Sequence, residues 1–353
     1  MTLNLKNNAF SITTLVFGVV VFLFGHILGH TIWEFLIYGV AIIGLAMVIG
    51  ASTEMLSKHL GPIFGALLGI TFGNSVELIL AFFALHEALY AVVKASIIGG
   101  VLANLLLTLG VSMVVGGGAK GVQQFSRRRA GMNSAMLFVA VIGLTTASIF
   151  SFLHFRTSGT EALSIGVSAV FLVVYFGGFL FSFFTHRAFL ADFSEDHKIQ
   201  FGKLPVRDIV LLVLATAIVA LVSDRLVSSI VPIAHQLKLT EQFIGLVFLP
   251  LIGIAPEFFA ALLFAKNSKI EASVEIAVGS SLQTSLFVAP LLVMVGLLMG
   301  RPITLVFAPA QVVVLFLSTI LVNIVSLDGE THWFEGIMVV ATYVIFALMF
   351  FFA

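Results

Sequence analysis

The sequence predicts an all-α polytopic membrane protein with 11 transmembrane helices: one extra N-terminal helix, then two inverted five-helix repeats. Three observations carry that prediction. Of 353 residues, 60% are hydrophobic and 10% charged, whereas a soluble domain carries about 25% charged residues; the mean hydropathy is +1.18. The apolar residues fall in continuous runs without the period-two alternation of a membrane barrel, each long enough to cross about 30 Å of hydrocarbon as a helix. Finally, two short stretches, Gly73-Asn74-Ser75-Val76-Glu77 and Gly253-Ile254-Ala255-Pro256-Glu257, each set one carboxylate inside such a run.

In chain order, span 1 (10–28) follows a polar start with no small-residue cleavage site and is read as a retained helix. Span 2 (31–55) opens near Trp33, an interfacial anchor, and ends near Glu54. Span 3 (62–86) holds Glu77, and span 4 (89–115) holds the Gly99–Asn104 run. Span 5 (131–152) follows Arg127-Arg128-Arg129, and span 6 (160–185) leads into a polar stretch with Asp192, Glu195 and Asp196. That stretch, 186–206, is read as an acidic cytoplasmic linker between the halves. Span 7 (207–232) precedes span 8 (239–264) with Glu257, span 9 (271–299) with Gly279–Gln283, span 10 (302–325), and span 11 (332–352), which opens on Trp333. The predicted division is therefore 1–30, 31–185, 186–206 and 207–353.

Basic residues predict the orientation. Lys6, Lys58, Lys120, Arg127, Arg128, Arg129, Arg187, Lys198, Lys203, Arg207, Lys266 and Lys269 fall on one set of alternate connections. Only Lys94, Arg156, Arg225, Lys238 and Arg301 fall on the other. The positive-inside rule puts the N-terminus in the cytoplasm and, with an odd number of spans, the C-terminus outside.

Several function classes are set aside. Net charge is zero, against a nucleic-acid surface. There is no cysteine, so neither disulfides nor thiolate metal sites arise. His26 and His30 have metal-pair spacing but lie outside the repeats, and His86-Glu87 lacks the second histidine of a zinc-protease helix, since position 90 is tyrosine. Gly116–Gly121 mimics a phosphate loop without a Ser or Thr after Lys120. No nucleophile–base arrangement points to an enzyme. Glu54 and Glu275 are secondary acids, read as helix-end residues or as lining of an access path.

The duplication appears at a fixed offset of 180. Gly65 matches Gly245, Gly73 matches Gly253, Glu77 matches Glu257 and Ala81 matches Ala261; Gly99, Leu102 and Leu106 match Gly279, Leu282 and Leu286. Inverted repeats with a midplane site are a common transporter plan. Glycine weakens the helix before each glutamate, and Pro256 withholds an N–H from the carbonyl of Ile252. Freed carbonyls beside a carboxylate are hard oxygen ligands for a cation. The following span of each half adds Asn104 in one case and Ser280, Ser281 and Gln283 in the other. These polar groups are either interhelical glue or cation ligands.

Gly73–Glu77, the Asn104-Leu-Leu-Leu-Thr-Leu-Gly110 run and Gly279-Ser280-Ser281-Leu282-Gln283 followed by Leu286–Pro290 resemble the alpha repeats of calcium/proton exchangers, in the calcium/cation antiporter superfamily. The resemblance covers nearly the whole chain. It implies a sodium/calcium-exchanger-like fold and an alternating-access antiporter exporting Ca²⁺ in exchange for H⁺. In that reading Ca²⁺ is the transported substrate, H⁺ the counter-ion, and no organic cofactor is used. The family glutamates fall on Glu77 and Glu257, with metal ligands expected from Asn74, Asn104, Gln283, Ser280, Gly73 and Gly253. The second repeat departs from the pattern: Ile254 stands where the family has asparagine. The expected setting is the lipid bilayer of a bacterial cell membrane, with no nucleic-acid partner and the oligomeric state left open. Alternatives are a sodium/calcium exchanger of the same fold and a cation channel.

Overall fold

The computed structural model describes residues 8–29, 31–60, 62–153, 159–181 and 205–353. Residues 186–204 of the expected linker 186–206, and His30, lie outside the described residues. In chain order the helices are α1 (Asn8–Phe24), α2 (Ile32–Leu60), α3 (Pro62–Gly73), α4 (Ser75–His86), α5 (Tyr90–Leu102), α6 (Leu109–Lys120), α7 (Arg127–Phe152), α8 (Gly159–Leu180), α9 (Val206–Ser228) and α10 (Ile230–Leu237). They continue as α11 (Glu241–Phe243), α12 (Leu249–Gly253), α13 (Ala255–Lys266), α14 (Ile270–Gln283), α15 (Ala289–Leu298), α16 (Pro309–Ser326) and α17 (Trp333–Phe352). Three wide π turns, Ala103–Thr108, Ile244–Phe248 and Thr284–Val288, join α5 to α6, α11 to α12 and α14 to α15.

Among the described residues, nine helices are long and apolar enough to cross a membrane, and the count reaches 11 when each of two bent pairs is one span. The protein is a multi-pass, all-helical membrane protein. Every expected span has its counterpart. The π turns at 103–108 and 284–288 lie at matching places in the duplicated sequence, so the repeat extends to a local irregularity of the helix.

The chain separates into two compact units, Met1–Phe83 with Val173–Leu237, and Ala84–Leu172 with Lys238–Ala353. In the first unit α2 packs on α1, α3 and α9. Small residues permit close approach of α1 to α9 and to α2: the Cβ position of Gly18 is 2.8 Å from Ile218, and that of Gly44 is 2.9 Å from Thr14. Glu34 is buried, and the Tyr38 hydroxyl one turn on donates to it at 3.1 Å.

In the second unit α6 packs on α17 and α13, α14 on α13, and α7 on α16. A two-residue strand β1 (Gln123–Gln124) pairs antiparallel with β2 (Glu330–Thr331). Helix starts are capped as the sequence allows. Thr240 accepts from the Phe243 N–H at 3.2 Å, and His332 and Glu335 cap one another's backbone N–H groups at 3.3 and 3.2 Å.

One expected helix is shorter than predicted. Span 10 begins at Pro309, and residues 301–308 are non-helical, with a bend at Leu305 and with Ala308 in the extended region. Ile303, Leu305 and Phe307 alternate inward and are buried, the period of an extended chain. Their backbone is satisfied by side chains: Ser164 accepts from Leu305 N–H at 3.0 Å and Ser148 from Phe307 N–H at 2.8 Å. An apolar run bracketed by prolines is thus an interior strap; hydropathy alone does not separate the two.

Candidate cation-binding site

Each glutamate sits just past a break in its span. α3 ends at Gly73, Asn74 is the junction, and α4 carries Glu77 in its first turn, with a bend of 44°. α12 ends at Gly253, Ile254 is the junction, and α13 carries Glu257 in its first turn, with a bend of 57°. The restart is made the same way in both halves. Leu78 N–H donates to the Asn74 carbonyl at 3.0 Å, and Phe258 N–H to the Ile254 carbonyl at 2.9 Å. Pro256 lies in the first turn of α13, where a helix does not need its N–H. It therefore starts the second half-helix, and the break itself falls next to Gly253.

Two kinds of backbone end meet at each break. The end of the first half-helix leaves carbonyls without intrahelical partners, and the start of the second leaves N–H groups. The N-terminal end favours an anion, so a carboxylate in that turn is stabilised. The carbonyl end favours a cation. A glutamate beside the carbonyl end of a half-helix is a donor set suited to a hard divalent ion, which takes six to eight oxygens.

In the first unit, Gly73, Asn74 and Glu77 lie within five residues across the break; Asn74 is 2% exposed and Glu77 half-buried. In the second unit α13, which carries Glu257, packs on α14, which carries Ser280 and Gln283, and on the π turn that holds Asn104, while α12, which ends at Gly253, packs on α5. Asn104 is 1% exposed, and neither its amide oxygen nor its amide nitrogen has a hydrogen-bond partner among the described residues. Ser281 instead back-bonds the Ala277 carbonyl at 2.9 Å and reaches the Val101 carbonyl at 3.5 Å, joining matched positions of the repeat. That is a packing role.

Secondary candidates resolve differently. Glu54 pairs with Lys58 on the same helix. Glu275 and Glu271 lie 3.8 and 3.6 Å from the Arg129 guanidinium. Trp33 and Trp333 open their helices exposed, as interfacial anchors do. His26 falls in a 3-10 turn after α1. Two features escaped the sequence reading. Glu34 is a buried carboxylate whose only signal was Tyr38 four residues later. Thr108 and Ser112, one and two turns past Asn104, are buried hydroxyls without partners; their signal was a spacing of four.

The family model described as sodium/calcium exchanger protein matches residues 30–184 and again 208–352. The chain is 38% identical over 361 residues to a Ca²⁺/H⁺ antiporter of Aphanothece halophytica, covering 96% of each chain. It is 38% identical over 324 residues to the Ca²⁺/H⁺ antiporter ChaA of Bacillus subtilis, covering 90% of this chain and 91% of that one. The solved structure of native YfkE superposes with a TM-score of 0.84 at 33% identity, covering 97% of this chain and 100% of that one.

Proposed function

Since the chain belongs to the sodium/calcium exchanger family, and its near full-length relatives are Ca²⁺/H⁺ antiporters, we propose that it is a Ca²⁺/H⁺ antiporter of a bacterial cell membrane. It exports Ca²⁺ from the cytosol in exchange for protons, by alternating access. The observation that best supports a cation site is the break that recurs in both halves, with a glutamate in the first turn after it.

Glu77 and Glu257 are the groups that take either ion. Ionised, their two charges balance one Ca²⁺. Without the metal, protons take its place and neutralise the same two carboxylates. The two ions compete for the same oxygens, and that competition is the exchange. Asn74, Asn104, Ser280, Gln283 and the carbonyls at Gly73 and Gly253 fill the remaining coordination. Asn104 carries weight here, because an amide buried without partners is costly unless a ligand or water satisfies it. In the second half Ile254 supplies only its backbone, so Gln283 stands in for the missing amide. The sign of the pH dependence follows. Ca²⁺ needs the carboxylates ionised, so apparent affinity falls as pH is lowered through their titration, and the macroscopic constants belong to the coupled groups.

The test is Ca²⁺ flux into proteoliposomes under an imposed pH gradient without sodium. Uptake should collapse when the gradient is dissipated. Uptake that ignores the gradient would mean a channel, and uptake that appears only with a sodium gradient would mean sodium/calcium exchange.

A further inference from the structure

We propose that a hydrated lane runs through the second unit beside α6 and carries protons between the helix of Glu257 and the β1–β2 end of the unit. Both amide atoms of Asn104, the hydroxyls of Thr108, Ser112 and Thr331, and the amide oxygen of Gln123 are buried without a hydrogen-bond partner among the described residues. Asn104, Thr108, Ser112 and Thr331 are at most 1% exposed and Gln123 is 8% exposed. Asn104, Thr108 and Ser112 are spaced by four. In a regular helix that spacing drifts around the axis, but the underwound π turn at Ala103–Thr108 offsets the drift and holds them near one line.

Four residues further the line reaches Gly116, where a Cβ would stand 2.5 Å from the amide oxygen of Gln123. Gln123 lies opposite Thr331 in the β1–β2 pair. The unpartnered groups thus form a series from the π turn to the strand pair. Several helical hydroxyls elsewhere bond the carbonyl one turn back, Thr145 at 2.7 Å, Ser318 at 2.6 Å and Thr319 at 3.0 Å. Thr108 and Ser112 do not. Thr53, Ser168 and Ser223 also stand unpartnered, but singly on other helices; among the described residues, only on α6 and the turn before it do such groups follow one another at a spacing of four. Leaving such groups unpaired is costly, and water bridging successive polar groups removes that cost.

The two ends suit a proton path. The π turn and α6 both pack on α13, the helix that begins at the turn of Glu257. At the other end Gly116 neighbours Ile270, the first residue of α14. The next turns of α14 hold Glu271 and Glu275, a third exposed beside Arg129, where protons pass to or from solvent. A hydroxyl accepts one proton and donates another, so Thr108 and Ser112 relay without net change. The cargo of the lane rests on the exchange reading above, and its hydration does not.

The experiment uses the full-length protein, Thr108→Val combined with Ser112→Ala, Ser112→Ala alone in case the pair fails to fold, and Thr108→Ser as the conservative control. Hydroxyl-radical labelling of Met113, which is 0% exposed next to Ser112, reports interior water. Wild type and Thr108→Ser should label, and the lane variants several-fold less. In proteoliposomes the lane variants should lose maximal exchange rate several-fold with the half-saturating Ca²⁺ concentration unchanged. Equal labelling in all variants would overturn the lane. An unchanged maximal rate would overturn its proton role, and weakened Ca²⁺ half-saturation would assign these hydroxyls to Ca²⁺ instead. Wild type without proton-coupled flux would overturn the exchange reading and the cargo, while labelling still decides the lane.

Discussion

At Glu77 and Glu257 two opposing costs are set against each other. A charged side chain at the centre of a span costs about 2.5–3.5 kcal/mol on insertion scales. Placement in the first turn of a helix returns about 0.3–2 kcal/mol, and in the proposed exchange a bound cation would offset the rest. Glu77→Gln and Glu257→Gln keep the shape and the hydrogen bonding but remove the charge. Each should abolish Ca²⁺ flux while thermal unfolding of the purified protein stays near wild type. Asn74→Ala should weaken apparent Ca²⁺ affinity on the order of tenfold, read from flux against Ca²⁺ concentration, with folding intact. Both glutamates were legible because an acid in an apolar run is rare and these two sit 180 positions apart. Thr108 and Ser112 were not. A hydroxyl in a span normally bonds its own helix, and only coordinates show that these two lack that bond.

For the elements, close approach of backbones decides what is tolerated. A Cβ at Gly99 would stand 2.1 Å from the Leu246 carbonyl oxygen and 2.7 Å from Pro250, so α5 touches the first half of the broken span through this glycine. Gly99→Ala should destabilise by about 1–3 kcal/mol, measured as a lowered melting temperature. Gly166→Ala, with open space around it, should not. The breaks were legible from Gly73 and Gly253. Pro256 was misleading in detail, since a proline in sequence does not say whether it ends one helix or begins the next. The strap at 301–308 was illegible because its apolar residues fit a helical span as well as a non-helical segment held by Ser148 and Ser164.

For the whole molecule, the nine to eleven candidate spans among the described residues were legible from composition and run length, while membrane orientation rests on the distribution of Lys and Arg. The absence of native cysteine makes orientation directly testable. Val122→Cys, 58% exposed in the basic connection after α6, should react with an impermeant thiol reagent only from the cytoplasmic side. Leu298→Cys, 86% exposed at the end of α15, should react only from outside. The reverse pattern would invert the topology. The central claim is that Ca²⁺ and protons compete for the same carboxylates. Its most direct test is proton release from the purified, weakly buffered protein when Ca²⁺ is added. The account predicts release that saturates with Ca²⁺ binding and is lost in Glu77→Gln and in Glu257→Gln. Ca²⁺ binding by the wild type without proton release would contradict it.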